Sequence, residues 1–127
     1  MIEVGGRKVH TLRIEPAQLA TPMPCRFETV REQLAEFERM YCEPDGSFVW
    51  TSPQDSVAWQ VDGNLYDRNE QLLFVDIKGS CPSQQFDRLL SVLGWPQSPI
   101  MFQLTQEAVF LDEETFRRYV SVEHPPT

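Results

Sequence analysis

Residues 57–96 read VAWQVDGNLYDRNEQLLFVDIKGSCPSQQFDRLLSVLGWP. Val57, Trp59, Val61, Gly63 and Leu65 interleave with Gln60, Asp62, Asn64 and Tyr66, the period-two pattern of a half-buried strand. Asp62-Gly63-Asn64 is an alternative hairpin turn, but the alternation runs through it, so a long strand with a bulge at Gly63 is the preferred reading. A polar turn follows at Asp67-Arg68-Asn69-Glu70. Leu72 to Lys78 is the next strand, with Leu73, Val75 and Ile77 on one face and Leu72 and Phe74 on the other. Apolar residues on both faces predict a central place in the sheet. Gly79-Ser80-Cys81-Pro82 then leads into a helix whose first residue is Pro82, where a missing N–H costs nothing. Phe86, Leu89, Leu90 and Leu93 form its buried stripe, Gly94 is its left-handed cap, and Pro96 prevents continuation. A hairpin running straight into a helix fixes the class as α+β.

Working outward, Phe27 to Tyr41 reads as a helix, because Phe27, Val30, Leu34, Phe37 and Tyr41 recur at helical spacing. Thr29 and Glu32 have capping-box spacing, which moves the expected start a few residues later. Glu43-Pro44-Asp45-Gly46 turns the chain into a short strand, Ser47 to Thr51, followed by the turn Ser52-Pro53-Gln54-Asp55. At the N-terminus, Ile2 and Val4 lead through Gly5-Gly6 into a strand from Val9 to Ile14, with His10, Leu12 and Ile14 facing the core. Pro16 to Pro24 reads as a loop. Downstream, Ile100 to Leu104 and Ala108 to Leu111 are short strands around Thr105-Gln106-Glu107. Asp112 is the N-cap of a last helix carrying Phe116, Tyr119 and Val120 on one side.

The expected fold is an antiparallel or mixed sheet of about five strands with two main helices packed on one face. Without the N-terminal hairpin and the Ser47 strand, the order is β-α-β-β-α-β, the ferredoxin-like order. Residues 1–122 are expected to form a single α+β domain and 123–127, which include His124, a flexible tail.

The chain has 127 residues with 11 Lys and Arg against 19 Asp and Glu, a net charge of −8. That charge speaks against a phosphate-binding surface, so no nucleic acid is expected as a partner. No apolar run approaches the ~20 residues of a membrane span, and no signal-peptide pattern opens the chain, so neither a membrane nor secretion is expected. The three cysteines Cys25, Cys42 and Cys81 make no C-x-x-C pair, so a disulfide framework and a zinc ribbon are both disfavoured and a cytoplasmic location is expected.

Cys81 is the candidate reactive residue. As a helix N-cap it would face oriented N–H groups and the positive end of the helix dipole, which favour thiolate. The supporting residues are incomplete. Six residues separate Cys81 from Arg88, where a phosphatase loop needs five, and the only histidines are His10 and His124. Asp62, Asp67, Asp76 and Glu70 could gather around a hard cation, but they lack the ligand rhythm of a calcium loop. Phe48, Trp50, Trp59, Tyr66 and Phe74 could share one sheet face, as core or as a groove. Trp95, between Gly94 and Pro96, is a candidate partner anchor, as are Trp59 and Tyr66. No phosphate loop, nucleophile elbow or H-E-x-x-H pair is present, and no cofactor is expected.

With no complete catalytic set, the expected function is a small acidic protein-interaction module, not an enzyme, favouring a basic partner. The alternatives are a small enzyme or redox sensor using Cys81, and a small-molecule-binding domain. Exposed sheet edges are also compatible with a homodimer.

Overall fold

The computed structural model describes residues 2–4, 7–19, 21–54, 57–104 and 108–123. The Gly5-Gly6 turn, Asp55, the Thr105-Gln106-Glu107 turn, His124 and the rest of the tail lie outside the described residues. The class is α+β, and the chain divides into two compact units, Ala20–Pro96 and Met1–Leu19 with Gln97–Thr127.

In the unit Ala20–Pro96 a four-stranded antiparallel sheet carries the fold. Its order is β3-β4-β5-β6, with β3 Met40–Cys42, β4 Ser47–Thr51, β5 Gln60–Arg68 and β6 Gln71–Ser80. Each strand pairs with its sequence neighbour, and helices α2 (Phe27–Ala35) and α3 (Ser83–Val92) flank the meander in the chain. This order is not the ferredoxin-like one, because no crossover separates the strands.

The register decides which side chains go inside. Trp50 stands opposite Met40 and Val61, and Phe48 opposite Cys42 and Gly63. Together with Leu65 these form the inner face, and Met40, Phe48, Trp50, Val61 and Leu65 are buried. Val30 and Leu34 of α2 and Leu89, Leu90 and Leu93 at α3 are buried with them. Phe37, just past α2, packs against Trp50 with ring centroids 5.1 Å apart and planes tilted by 50°, and the Arg88 guanidinium lies 4.5 Å over the Phe37 ring. The alternation through Gly63 is one continuous strand, as its pattern indicated, but it starts at Gln60 and not at Val57, which precedes the pairing and is 76% exposed. Gly63 holds no bulge; the Phe48 ring occupies the space a Cβ would need. The register shift falls later, between Tyr66 and Asp67. Beyond it Leu72 stands opposite Asp67, on the buried side, so Leu72 is fully buried although its parity matches exposed Phe74. That shift explains why β6 shows apolar residues at both parities. β6 is an edge strand, not a central one.

Three local differences from the expected elements have clear causes. The first helix ends at Ala35, and Met40 to Cys42 is strand, not a fourth helical turn. Pro44 disfavours helix in the residue before it, while the strand alternative buries Met40 and gives the Arg39 carbonyl the Thr51 N–H at 3.1 Å. The indole N–H of Trp50 donates to the Glu38 carbonyl at 3.2 Å. At the other end, α2 begins at Phe27 without a side-chain cap, so Thr29 does not cap it. The Glu70 carbonyl accepts the Phe27 N–H instead, at 3.0 Å. That carbonyl belongs to the β5–β6 turn, where Asn69 and Glu70 both have positive φ, as a two-residue hairpin loop requires. Finally, Pro82 is the N-cap of α3, so Cys81 lies one residue before the cap.

The C-terminus of α3 follows the expectation. Gly94 has φ +102, its N–H donates to the Ser91 carbonyl, and the Trp95 N–H donates to the Leu90 carbonyl at 3.1 Å. These two bonds are the Schellman pair.

In the other unit, β1 (Ile2–Val4) pairs antiparallel with β2 (Arg7–Val9), and α1 (Pro16–Leu19) takes the place of the expected loop. The second strand stops at Val9: Leu12 makes only an isolated bridge to Phe110, and His10 is exposed instead of facing a core. β7 (Met101–Leu104) pairs with β8 (Val109–Asp112), and α4 (Glu113–Glu123) includes the first residue expected in the tail. Leu111 and Tyr119 are buried, with Leu104, Val109, Phe116 and Val120 packed around them. Asp112 caps α4 as expected, accepting the Thr115 N–H at 2.7 Å.

Candidate functional site

The face of the β3–β6 sheet opposite the buried one is built by the alternate residues of the same strands. In register across all four strands run Tyr41, Val49, Asp62 and Lys78. The next outward row is Ser47, Asn64 and Asp76, and the row after that is Tyr66 opposite Phe74. Tyr41 is 59% exposed, Val49 37%, Tyr66 39% and Phe74 50%. These four apolar side chains form two cross-strand pairs, Tyr41 with Val49 and Tyr66 with Phe74, on either side of a polar row.

Each pair is positioned by the backbone that carries it. Tyr66 and Phe74 stack with centroids 4.5 Å apart and planes 20° from parallel. The Asn64 amide donates to the Tyr66 hydroxyl at 3.2 Å, fixing the ring from the polar row. Tyr41 faces outward because β3 pairs with β4 through Met40 and Cys42, which take the inward positions. Carboxylates surround the apolar pairs. Asp62 and Asp76 lie on the face, with the Gln60 amide donating to Asp62 at 2.8 Å. Asp45 lies in the β3–β4 turn, where the Ser47 N–H and hydroxyl donate to it and hold its carboxyl below the usual range, so it stays ionised.

The structure separates the five aromatics that the sequence could place together. Phe48, Trp50 and Trp59 go inward, while Tyr66 and Phe74 go outward. Trp59 is half-buried and packs edge-on against Trp50 at 5.0 Å. Trp95 is half-buried at the end of α3. Of the three expected anchors, Trp59, Trp95 and Tyr66, only Tyr66 lies on this outer face. Tyr41 escaped the sequence reading because its spacing from Phe37 placed it in the stripe of a helix. Val49 could have been found, since it alternates with Phe48 and Trp50.

The remaining candidates are placed as follows. Cys81 is half-buried before α3 and belongs to the unit Ala20–Pro96, whereas His10 belongs to the other unit. Burial pushes the thiols of Cys25 and Cys42 up, and at Cys42 the Arg31 guanidinium pulls weakly the other way. Asp62 and Asp76 share the outer face two rungs apart, while Asp67 and Glu70 lie at the far hairpin end. Among the described residues no group of three His, Cys, Asp or Glu side chains converges as a metal site. Among them, too, no helix is long and apolar enough to cross a membrane.

Comparison with family models, with curated proteins and with solved structures finds no match to this chain.

Proposed function

We propose that the chain is a non-enzymatic interaction module that docks a protein partner on the outer face of β3–β6. Tyr41, Tyr66 and Phe74 are the apolar anchors in this reading. The observation that carries it is the pair of exposed apolar cross-strand contacts on one sheet face. Aromatic anchors around a polar centre match the make-up of protein–protein interfaces, where tyrosine and phenylalanine are enriched. The stacked Tyr66–Phe74 pair is already ordered, so less side-chain freedom is lost on binding.

The partner is a protein surface bearing basic side chains. Asp62, Asp76 and Asp45 outnumber Lys78 and Arg68 on and beside the face, and the whole chain carries −8. Complementary charge speeds encounter and suppresses wrong partners.

The test begins with affinity capture from source-cell lysate, using wild-type protein and a Tyr41→Ser/Phe74→Ser variant as baits. A protein retained by the first and lost from the second is then purified, and its binding is measured by calorimetry over a salt series. The expected partner is basic, binds at least ~tenfold more weakly to the variant, and weakens as salt rises. If the variant binds that protein as tightly as the wild type does, the outer face is not the docking surface. If the wild type retains nothing specific yet turns over a substrate, the module reading is wrong altogether.

A further inference from the structure

The sheet has two edges of unequal length. β3 presents three residues, too few to hold another strand, whereas β6 presents ten. The start of the β6 edge is already covered. The Met23 N–H donates to the Leu72 carbonyl at 2.8 Å, the Leu72 N–H donates to the Cys25 carbonyl at 2.9 Å, and Arg26 bridges Gln71. Among the described residues no backbone bond continues that cover beyond Leu72. From Leu73 to Ser80 the edge has no proline, and the one register shift lies at the covered end. Of the usual protections of an edge strand, this stretch carries the charges of Asp76 and Lys78 and an irregularity at Gly79, whose φ is +108, but no proline and, among the described residues, no covering backbone.

The side chains along this stretch are self-complementary. Phe74, Asp76, Lys78 and Ser80 are exposed on the outer face, and Lys78 stands opposite Asp62 of its own chain. Consider two copies of β6 running antiparallel about a two-fold axis at Ile77. Asp76 of each copy then lies opposite Lys78 of the other, twice by symmetry. Phe74 meets Ser80, and Ile77 meets Ile77 on the inner face. Centring the axis on Asp76 would oppose two aspartates, and centring it on Lys78 would oppose two lysines. An axis between residues would set inner positions against outer ones, which the pleat forbids. We propose that the free edge of β6 pairs antiparallel with β6 of a second copy of this chain, in the register centred on Ile77, joining two four-stranded sheets into one of eight strands.

The experiment measures mass by light scattering and sedimentation across a dilution series. Wild-type protein should pass from monomer to dimer as concentration rises. Asp76→Lys and Lys78→Asp should each weaken self-association by about tenfold or more, because each opposes like charges twice. Mixed together, the two variants should form a one-to-one heterodimer, since each then offers the charges the other lacks. Far-UV circular dichroism checks that each variant is folded. Lys78→Asp faces Asp62, so Ile77→Cys provides an independent reading should that variant unfold. The axis sets this position against itself, and mild oxidation should yield a covalent dimer above the wild-type level. A wild type that stays monomeric throughout, or a dimer that neither charge variant weakens and whose mixture gains nothing, overturns the proposal. So does an Ile77→Cys protein that gives no additional covalent dimer.

Discussion

Replacing Gly63 with alanine tests whether the inner face of the sheet is packed as described. Gly63 stands directly opposite Phe48, whose ring is 2% exposed and lies over the glycine. A Cβ at Gly63 would fall inside the van der Waals envelope of that ring. Phe48 cannot swing away without uncovering its own buried surface. Overpacking of this kind costs about 1–3 kcal/mol. The same substitution restricts the unfolded chain, which stabilises by about 0.4–1 kcal/mol. The net expectation is a loss of about 1–2 kcal/mol. With a urea dependence of about 2 kcal/mol per molar, the unfolding midpoint should fall by roughly 0.5–1 M. Urea titration followed by circular dichroism and tryptophan fluorescence measures this directly. The decisive step is the cycle with Phe48→Leu. Shortening the ring makes room for the methyl group, so Gly63→Ala should cost less by at least about 0.5 kcal/mol in that background. A Gly63→Ala protein as stable as the wild type, or one equally destabilised in both backgrounds, would refute the packing argument.

Asp112→Ala should cost about 1 kcal/mol by uncapping α4, whereas Asp112→Asn should keep most of the cap. The Thr115 N–H holds the Asp112 carboxyl below its ordinary value, so this stabilisation is present above the unfolded pKa and disappears as pH falls through the folded one; an NMR titration of Asp112 that shows no downward displacement would contradict it. Arg88→Ala should cost about 0.5–1 kcal/mol through loss of the contact over Phe37, seen as a lower thermal midpoint. Burial raises the Cys25 and Cys42 thiols, so both should alkylate more slowly in the native protein than in denaturant, as read by mass spectrometry. If Cys81 reacts no faster than those two in the same experiment, thiol chemistry at Cys81 is removed as an alternative function.

Periodicity made the second half of the Ala20–Pro96 unit legible. Val61, Gly63 and Leu65 alternate cleanly, and Gly94 with Pro96 punctuates α3, so local signals and tertiary structure agree there. The first half was less legible because two structures satisfy the same spacing. Phe37 and Tyr41 continue the stripe of α2, but backbone pairing to β4 and burial of Met40 win over another helical turn. The central placement expected for β6 failed for a similar reason. One register shift moves Leu72 to the inner face, and no local pattern announces which rung will carry it. Cys81 illustrates the sensitivity of site arguments to single positions: with Pro82 as the cap, the thiol loses the N-cap geometry that motivated it.

The outer face needs a separate argument, because exposed aromatics on a strand have an ordinary explanation. Tyrosine, phenylalanine and valine favour strands for conformational reasons, and more than half of a typical surface is apolar. Propensity alone, however, would spread them over the outward positions. Here the row between the two pairs is Ser47, Asn64 and Asp76, none of them a strong strand former apart from its place in the sheet. The apolar residues are concentrated instead into directly opposed pairs, one on β3–β4 and one on β5–β6. Cross-strand stacking could favour such pairing for stability alone, at about 0.2–1 kcal/mol per pair. The two explanations part at Phe74. If stacking on Tyr66 is its whole role, Phe74→Ser should cost no more than that stability and leave partner binding intact. If the pair is an anchor, the stability cost is equally small but binding falls at least ~tenfold. Measuring both quantities on one variant separates a sheet that is merely well paired from a sheet whose outer face is a docking surface.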